Sequence, residues 1–265
     1  MADGREWIHG QCVGCPVPVE CGTRCPDLVS DLAPLRLGWL PGGVLPTAAA
    51  DLAPFIDHTI LVPEATASAV ERTCADAVKW GFAAVCVNST WVPVVARELR
   101  GTKVRVCATA GFPLGAALTA SKVAEARAAA EAGATEIDVV LNIGLVRGGQ
   151  DADARDDLRA VIRAVPGAIV KVILEMCCLS EDEKRRAARL ALDAGARFLK
   201  TSTGFGPGGA NLRDVSLLRS LAGSAAGVKA SGGVRTRAAA LAFLRAGANR
   251  LGASSSVKIV GEPAA

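Results

Sequence analysis

A phrase of three small residues recurs along the chain, and a short apolar segment follows each copy. Ala-Gly-Ala occurs at 132–134, 194–196 and 246–248, and 80–82 is a degenerate fourth copy with Gly81 at its centre. The four central glycines are 52, 62 and 52 residues apart. A glycine between a helical segment and a strand-like one is typical of a helix that ends in a left-handed residue. The repeat therefore predicts helices that alternate with strands.

Three further glycines, Gly101, Gly167 and Gly227, stand before other apolar segments, and we expect them to end helices in the same way. The apolar segments are short and rich in β-branched residues, as in parallel strands that are buried on both faces. If residues 55–59 form the first strand, the pattern contains eight strands.

Helical segments separate these strands. Five of them span about 66–80, 119–132, 147–165, 211–223 and 235–246. Two more begin near Thr90 and at Ser180, and the second has a capping box formed by Ser180 and Glu183. Eight such units between about residues 50 and 260 predict a single (β/α)8 TIM barrel of the α/β class. The alternative is an open doubly wound sheet, which lacks support because no glycine-rich fingerprint opens the first helix.

The first 45 residues follow a different pattern. They contain Cys12, Cys15, Cys21 and Cys25 among prolines and glycines, with no helical or alternating period. We therefore divide the chain into an irregular Cys-rich N-terminal extension, 1–45, and a barrel domain, 46–265. Two interpretations of the extension stay open: a loosely structured or disordered leader, and a small metal-binding or redox-sensitive segment.

The overall composition excludes several classes of function. A net charge of +4 in 265 residues is too small and too scattered to indicate nucleic-acid binding. No apolar run reaches the ~18 residues of a membrane helix, and the N-terminus lacks the apolar core of a signal peptide. We therefore expect a cytoplasmic protein with reduced cysteines. Two histidines in the whole chain disfavour a histidine-based metal site or triad, so no metal is expected.

Lysines in three successive strands carry the chemical argument. Lys171, Lys200 and Lys229 each stand in an apolar strand, where an unpaired charge is costly. One such lysine could face outward to solvent, but three together favour a common site. Two close ammonium groups cannot both stay charged cheaply, so one lysine would be a neutral amine nucleophile. Asp138, on the strand before Lys171, could pair with that lysine and move protons.

Glycine-rich loops offer a place for an anion. Such loops follow predicted strands 7 and 8, where barrels of this kind commonly bind phosphate, and Gly204 after strand 6 can contribute to the same pocket. The expected phosphate-binding residues are Gly204, Gly232, Gly233, Gly252, Ser254 and Ser255. A pair of glycines alone is more often a turn, so the prediction depends on the two loops occurring together.

At these residues the sequence resembles the deoxyribose-phosphate aldolase family, the class I aldolases of deoxynucleoside breakdown. The matching segments are DHT (57–59), VCVN (85–88), AGFPLG (110–115), EIDVVLNIG (136–144), KVILE (171–175), FLKTSTGFG (198–206), GVKASGGVR (227–235) and RLGASS (250–255). They occur in the family's order and cover about residues 50–260.

The resemblance implies reversible cleavage of 2-deoxy-D-ribose 5-phosphate into acetaldehyde and D-glyceraldehyde 3-phosphate. Lys200 is similar to the Schiff-base lysine, Lys229 to the lysine that lowers its pKa, and Asp138 to the proton-transfer aspartate. The residues that would line the substrate pocket are Asp57, Cys86, Lys171 and Thr201. No metal or organic cofactor is implied, and the implied partners are phosphorylated sugars and aldehydes, with a dimer or tetramer compatible with the family.

The chain departs from the family pattern at three places. The extension lies outside the pattern, and Gly252-Ala253 stands where the family often has Gly-Thr. The chain has no tyrosine, whereas some family members use a C-terminal tyrosine in proton transfer, so a water held by Asp138 and Lys171 would take that role. Two alternatives remain: a Schiff-base aldolase for another phosphorylated sugar, and a phosphosugar-binding barrel without catalytic activity.

Overall fold

Each apolar segment of the repeat is a strand of one parallel sheet in the structure, a computed structural model that describes residues 50–261. Neighbouring strands pair in chain order, and the last strand closes against the first through the pair Asp57 and Gly252. The predicted (β/α)8 barrel is therefore confirmed. The extension predicted for residues 1–45, its boundary and its four cysteines lie outside the described residues.

The strands are β1 (Ile56–Ile60), β2 (Ala84–Val87), β3 (Arg105–Ala110), β4 (Glu136–Val140), β5 (Ile169–Ile173), β6 (Phe198–Lys200), β7 (Gly227–Ser231) and β8 (Arg250–Ala253). The helices are α1 (Ala67–Trp80), α2 (Val92–Glu98), α3 (Thr119–Glu131), α4 (Ile143–Arg147), α5 (Asp151–Ala164), α6 (Glu181–Ala194), α7 (Leu212–Ala222), α8 (Arg237–Arg245) and α9 (Ser256–Gly261). Short 3-10 turns lie at Ala50–Phe55, Ser89–Trp91 and Met176–Cys178. Within residues 50–261, no helix combines the length and the apolar character that crossing a bilayer requires.

Most predicted boundaries agree with the structure to within two residues, and one helix prediction is wrong. The segment 147–165 is not a single helix, because α4 ends at Arg147 and α5 begins at Asp151. Gly149, between them, has a φ of 75°, a left-handed conformation that interrupts a helix. The capping box of Ser180 and Glu183 at the start of α6 is present as predicted.

The glycine-capping prediction is confirmed for four of seven glycines. Gly81 and Gly195 end α1 and α6 with φ of 72° and 101°, and Gly133 and Gly247, directly after the capping residues of α3 and α8, also have positive φ. Gly101 has a positive φ but lies in the turn beyond Leu99, the residue that caps α2. The prediction is wrong for Gly167 and Gly227, whose φ is not positive.

Gly227 is required for a different reason. It lies inside β7, where a Cβ would stand 2.2 Å from the ring of Phe198 on the neighbouring strand β6. The absence of a side chain at Gly227 therefore makes room for an aromatic ring inside the barrel.

Alternation along the strands places the two kinds of side chain on opposite sides of the sheet. Val139, Val172 and Leu199 are fully buried among the helices in the hydrophobic core. The residues next to them in sequence point into the barrel and include charged groups such as Asp138 and Lys171. The apolar core therefore lies between sheet and helices, and the barrel interior is left for polar chemistry.

A buried ion pair outside the barrel supports the loop that follows β3. Lys122 on α3 donates a hydrogen bond from Nζ to Asp157 Oδ2 on α5 at 2.8 Å and another to the Val140 carbonyl at 3.0 Å. Its stem packs under Gly111, where a Cβ would lie 3.0 Å from Lys122 Cε. Thr119 donates to the other oxygen of Asp157 at 2.8 Å. This cluster joins two helices to the end of β4.

We expect Asp157→Ala to destabilise the protein by about 3–5 kcal/mol, because it leaves the Lys122 ammonium group buried without its carboxylate. The free energy of unfolding in urea measures the loss. Replacing both partners in Lys122→Met/Asp157→Leu should recover part of it, since no unpaired charge then remains buried.

The matched control is Arg97→Ala, which removes exposed ion pairs with Glu71 and Glu98. We expect no measurable change in the urea midpoint for that variant, because exposed pairs contribute little. An Asp157→Ala protein as stable as the Arg97→Ala protein would contradict the structural role of the buried pair.

Candidate active site

The register of the strands brings the three predicted lysines into the barrel. Lys200 and Lys229 are direct neighbours across β6 and β7, and Asp138 is the direct neighbour of Lys171 across β4 and β5. All four side chains are almost completely buried. The alternative that these lysines face outward to solvent is therefore excluded.

Asp138 lies at the centre of this group. Its Oδ2 accepts hydrogen bonds from Lys200 Nζ and from Lys229 Nζ, both at 2.8 Å, and its Oδ1 accepts one from Lys171 Nζ at 2.6 Å. Burial alone would raise the pKa of Asp138, but the charges of Lys171, Lys200 and Lys229 outweigh burial and hold it well below its usual range. Asp138 is therefore a carboxylate at neutral pH, and the predicted pair with Lys171 is present.

Lys229 has a second carboxylate partner. Its Nζ donates to Asp57 Oδ2 at 2.5 Å as well as to Asp138. Burial lowers the pKa of Lys229, but Asp138 and Asp57 outweigh burial and raise it above its usual range. Burial likewise raises the pKa of Asp57, but Arg250 and Lys229 outweigh it, so that the net shift is downward. The Lys229 and Asp57 pair is therefore charged at neutral pH.

Lys171 is enclosed by acceptors. Besides Asp138, its Nζ lies 2.7 Å from Glu136 Oε2 and 3.1 Å from Cys107 Sγ. Burial lowers the pKa of Lys171, but Asp138, Cys107, Glu136 and Asp57 together raise it well above its usual range. Lys171 therefore stays an ammonium ion, and its contacts fix the orientation of the Asp138 carboxylate.

Three residues of this network were not identified from the sequence: Glu136, Arg250 and Cys107. Arg250 Nη1 bridges Asp57 Oδ1 at 2.6 Å and Glu136 Oε2 at 3.0 Å, which closes the network on the far side of the barrel. Alternation alone could have indicated Glu136, since it stands two residues before Asp138 on β4 and points to the same side.

The predicted pocket residue Cys86 lies beside Cys107, its register partner on β3. Cys107 Sγ donates to Asp138 Oδ1 at 3.2 Å. A hydrogen bond with Cys107 lowers the pKa of Cys86, whereas burial raises that of Cys107 well above its usual range.

Within the described residues, two groups of side chains lie close enough to share a metal ion: Cys86, Cys107 and Asp138, and Asp57, Cys107 and Glu136. The two thiols and a carboxylate oxygen of Asp138 lie within 4.8 Å of one another. Both oxygens of Asp138 already accept hydrogens from lysine ammonium groups, so a cation would meet like charges. This arrangement does not favour a metal, and the expectation of none stays a prediction.

A cavity of about 570 Å³ opens at Lys200, at the carboxyl ends of the strands. Its walls come mainly from the loops after β1, β6, β7 and β8. Of the predicted phosphate residues, the cavity is lined by Gly204, Gly232, Gly233, Gly252 and Ser254, whereas Ser255 lies just beyond the lining. Lys200 therefore shares one cavity with five of the six residues expected to hold phosphate.

The loops after β6 and β7 pack directly against each other. A Cβ on Gly209 would lie 2.3 Å from the Gly232 carbonyl oxygen. The Ala210 amide donates to the carbonyl oxygens of Ser231 and Gly232, both at 3.0 Å. Gly232 has a φ of 82°, which favours glycine at this contact.

Thr201, predicted to line the pocket, is engaged in strand pairing. Its hydroxyl donates to the Ser231 carbonyl at 3.2 Å and accepts from the Ser231 amide at 3.1 Å. The side chain is fully buried and joins the end of β6 to β7. The hydroxyl thus holds together the two strands that carry Lys200 and Lys229, and its contact with substrate stays a prediction.

Comparison with known proteins identifies aldolases as relatives of this chain. The model of the DeoC/LacD family aldolase matches residues 52–259. A protein of Rhodospirillum rubrum named deoxyribose-phosphate aldolase is 51% identical over 223 residues, which cover 84% of this chain and 94% of the relative. A protein of Geobacillus sp. with the same name is 49% identical over 211 residues, which cover 79% of this chain and 95% of the relative.

Solved structures give the same result. A putative deoxyribose-phosphate aldolase from Coccidioides immitis superposes with a TM-score of 0.79 at 39% identity and covers 91% of this chain and 96% of its own. Tetrameric deoxyribose phosphate aldolase from Aeropyrum pernix superposes with a TM-score of 0.78 at 33% identity and covers 89% of this chain and 96% of its own. The family model covers most of the chain and the relatives are matched over nearly their whole length, so the chain belongs to the DeoC/LacD family of aldolases.

Proposed function

We propose that the chain is a deoxyribose-phosphate aldolase, which cleaves 2-deoxy-D-ribose 5-phosphate reversibly to acetaldehyde and D-glyceraldehyde 3-phosphate. The observation that carries the proposal is the oxygen of Asp138 that Lys229 shares with Lys200, the lysine that lines a glycine-walled cavity. The names of the relatives at about half identity support the same substrate.

We assign the nucleophile to Lys200, because of the three lysines it is the one that lines the cavity. Among the described residues, seven charged groups meet around Asp138 inside the barrel, four basic and three acidic, and all but the partly exposed Arg250 are buried. They are Lys171, Lys200, Lys229 and Arg250, and Asp57, Glu136 and Asp138. If all were ionised, the interior would carry one excess positive charge, which low dielectric makes unfavourable. Lys200 has a single carboxylate partner and is the one of the three lysines that lines the cavity, so it is the lysine placed to meet the substrate.

The neutral amine of Lys200 adds to the aldehyde carbon C1 of the open-chain sugar and forms a carbinolamine. Loss of water gives an iminium ion, which draws electrons from the bond between C2 and C3. When a base removes the proton of the C3 hydroxyl, the C2–C3 bond breaks, D-glyceraldehyde 3-phosphate leaves, and an enamine remains on Lys200. Protonation at C2 and hydrolysis then release acetaldehyde and the free amine.

Asp138 is the group placed to move these protons. It is ionised at neutral pH, and one of its oxygens lies 2.8 Å from Lys200 Nζ. We propose that a water molecule between Asp138 and the substrate carries the proton to and from carbon, since the chain has no tyrosine. Lys171 keeps the carboxylate in place throughout the cycle.

The phosphate is held at the glycine-rich wall of the cavity. Gly232 and Gly233 have φ of 82° and 84°, and consecutive residues in such conformations can present backbone N–H groups to an anion. Arg235 lines the same cavity and contributes positive charge. We also propose that the protein is cytoplasmic and that it forms a dimer or a tetramer. The tetrameric Aeropyrum pernix relative supports an oligomer.

Borohydride in the presence of acetaldehyde should reduce the iminium ion and leave a two-carbon adduct on Lys200. Peptide mass spectrometry locates the adduct. Lys200→Ala should form none and should lose at least about 10⁴-fold in kcat, because the covalent route is then closed. The matched control, Lys103→Ala, removes an exposed lysine and should leave both readouts unchanged.

An adduct at another lysine, or near-normal turnover by folded Lys200→Ala, would refute the assignment. A profile over other phosphorylated sugars, with the same trapping readout, tests the substrate separately. A trapped adduct without cleavage of 2-deoxy-D-ribose 5-phosphate would leave the Schiff base standing and reject the substrate.

In Lys229→Met, the rate of borohydride trapping should begin to fall at a higher pH than in wild type as the pH is lowered. Lys229 keeps its proton in the folded protein, so its charge acts against a second ammonium ion on the same oxygen. Without that charge, the amine of Lys200 should be available only at a higher pH. The pH at half-maximal trapping, measured beside wild type and with thermal unfolding as a folding control, should rise by about one unit or more. An unchanged pH profile in a folded variant would argue against this role.

A further inference from the structure

The loop that carries Gly204 rests on a buried carboxylate that takes no part in the mechanism above. Glu175 follows β5 and is almost completely buried, with its carboxylate turned toward the loop after β6. Thr203 and Phe205 of that loop line the cavity, and Glu175 lies behind them. The position of Glu175 suggests that it acts on the cavity through this loop.

The backbone at Glu175 adopts a conformation that most residues avoid. Its φ of 49° and ψ of 60° are left-handed, and within residues 50–261 it is the one residue other than glycine with a positive φ. Strain of this kind persists where neighbouring contacts enforce it, and it clusters at functional sites. Here the amides on both sides are held: Leu174 donates to the Lys200 carbonyl and Met176 to the Thr201 carbonyl, both at 2.9 Å.

The carboxylate of Glu175 fixes the next turn of the β6 loop. The Thr203 amide lies 3.3 Å from each carboxylate oxygen, and the Thr203 hydroxyl donates to Oε2. The same hydroxyl accepts a hydrogen bond from the Phe205 amide at 3.0 Å. A hydroxyl has one hydrogen to donate. Because the Thr203 hydroxyl donates that hydrogen to Glu175, its oxygen is left to accept the hydrogen bond from the Phe205 amide.

Steric contacts hold the rest of the loop on the same support. A Cβ on Gly206 would stand 3.0 Å from Glu175 Cδ, and one on Gly208 would stand 2.9 Å from Cys177 Cβ. Gly204 lies between the two anchored residues with a φ of 88°, close to Gly232 of the β7 loop. The orientation of Gly204 is therefore set by hydrogen bonds that end on Glu175.

We propose that Glu175 is a positioning residue for the phosphate group: through Thr203 it holds the Gly204 turn in the orientation that completes the anion pocket. The inference rests on the proposed function, because it takes the glycine-walled part of the cavity as the phosphate site. Glu175 is not assigned a proton-transfer step. Its role is to accept the hydrogen bonds of Thr203 on the underside of the loop, so that the upper side is free to present N–H groups to the substrate.

The test compares a phosphorylated with an unphosphorylated substrate. Glu175→Gln keeps the shape but replaces one acceptor oxygen with an NH₂ group that faces a donor on Thr203. The ratio of kcat/KM for 2-deoxy-D-ribose 5-phosphate to that for 2-deoxy-D-ribose should fall about 10-fold or more, through KM of the phosphorylated substrate. Borohydride trapping with acetaldehyde, which has no phosphate, should be affected far less than that ratio.

A second pair of variants keeps the inference testable if Glu175→Gln fails to fold. Thr203→Val removes the hydroxyl and should lower the same ratio, and Thr203→Ser should recover most of the loss. The matched control is Glu183→Gln. Its carboxylate also accepts a backbone N–H, from Ser180 at 2.7 Å, but it lies exposed at the start of α6 and should not change the ratio.

Equal losses on both substrates would show that Glu175 supports the fold alone and would overturn the inference, as would an unchanged ratio. The proposed function fails separately, if wild type forms no acetaldehyde adduct and cleaves neither sugar. Calorimetric binding of inorganic phosphate then decides the inference. Weaker binding by Glu175→Gln than by wild type supports it, whereas equal binding, or none by wild type, overturns it.

Discussion

One carboxylate oxygen, Asp138 Oδ2, accepts hydrogen bonds from two buried lysine side chains, Lys200 and Lys229, inside the barrel. Two ammonium ions on one oxygen repel each other strongly where the dielectric constant is low. Lys229 is held in its charged form by a second carboxylate, Asp57. This crowding of charge at one oxygen is the physical basis on which the proposed mechanism assigns the nucleophile to Lys200.

This constraint determines what the rest of the barrel has to be. Barrels of this class are usually filled with branched apolar side chains, whereas here charged groups occupy the interior from Arg250 up to Lys200. Burying such groups gains little or no stability by itself. The fold must therefore derive its stability from the layer between sheet and helices, where residues such as Val139, Val172 and Leu199 are fully buried. Burial of the apolar side chains on the outer face of each strand therefore compensates for the unfavourable burial of charged side chains on the inner face.

The sequence was sufficient for the fold and for the meeting of the three lysines inside the barrel, but not for the whole network. Recurring glycines and apolar segments predicted eight units, and the occurrence of Lys171, Lys200 and Lys229 in three successive apolar strands predicted a common site. Alternation states which way a side chain points, but not how deep it lies or what meets it across the barrel. Arg250 bridges Asp57 and Glu136, which lie far apart in sequence, and only the closed barrel brings them together. The prediction for Gly227 was wrong for a similar reason, because the Phe198 ring that leaves no space for a side chain there lies on another strand.

The anion site and the nucleophile make opposite electrostatic demands on one cavity. A phosphate dianion near Lys200 would favour its ammonium form, which cannot attack a carbonyl. Backbone N–H groups can bind an anion as dipoles, and in the proposed mechanism the glycine-rich loops after β6 and β7 supply them. The glycines of those loops have no side chains to fix their own conformation, so contacts with neighbouring residues have to hold it. For the loop after β6, Glu175, Thr203 and the contacts of Gly206 supply that support. In the proposed mechanism, the binding of phosphate by backbone groups and not by a charge next to Lys200 depends on this support.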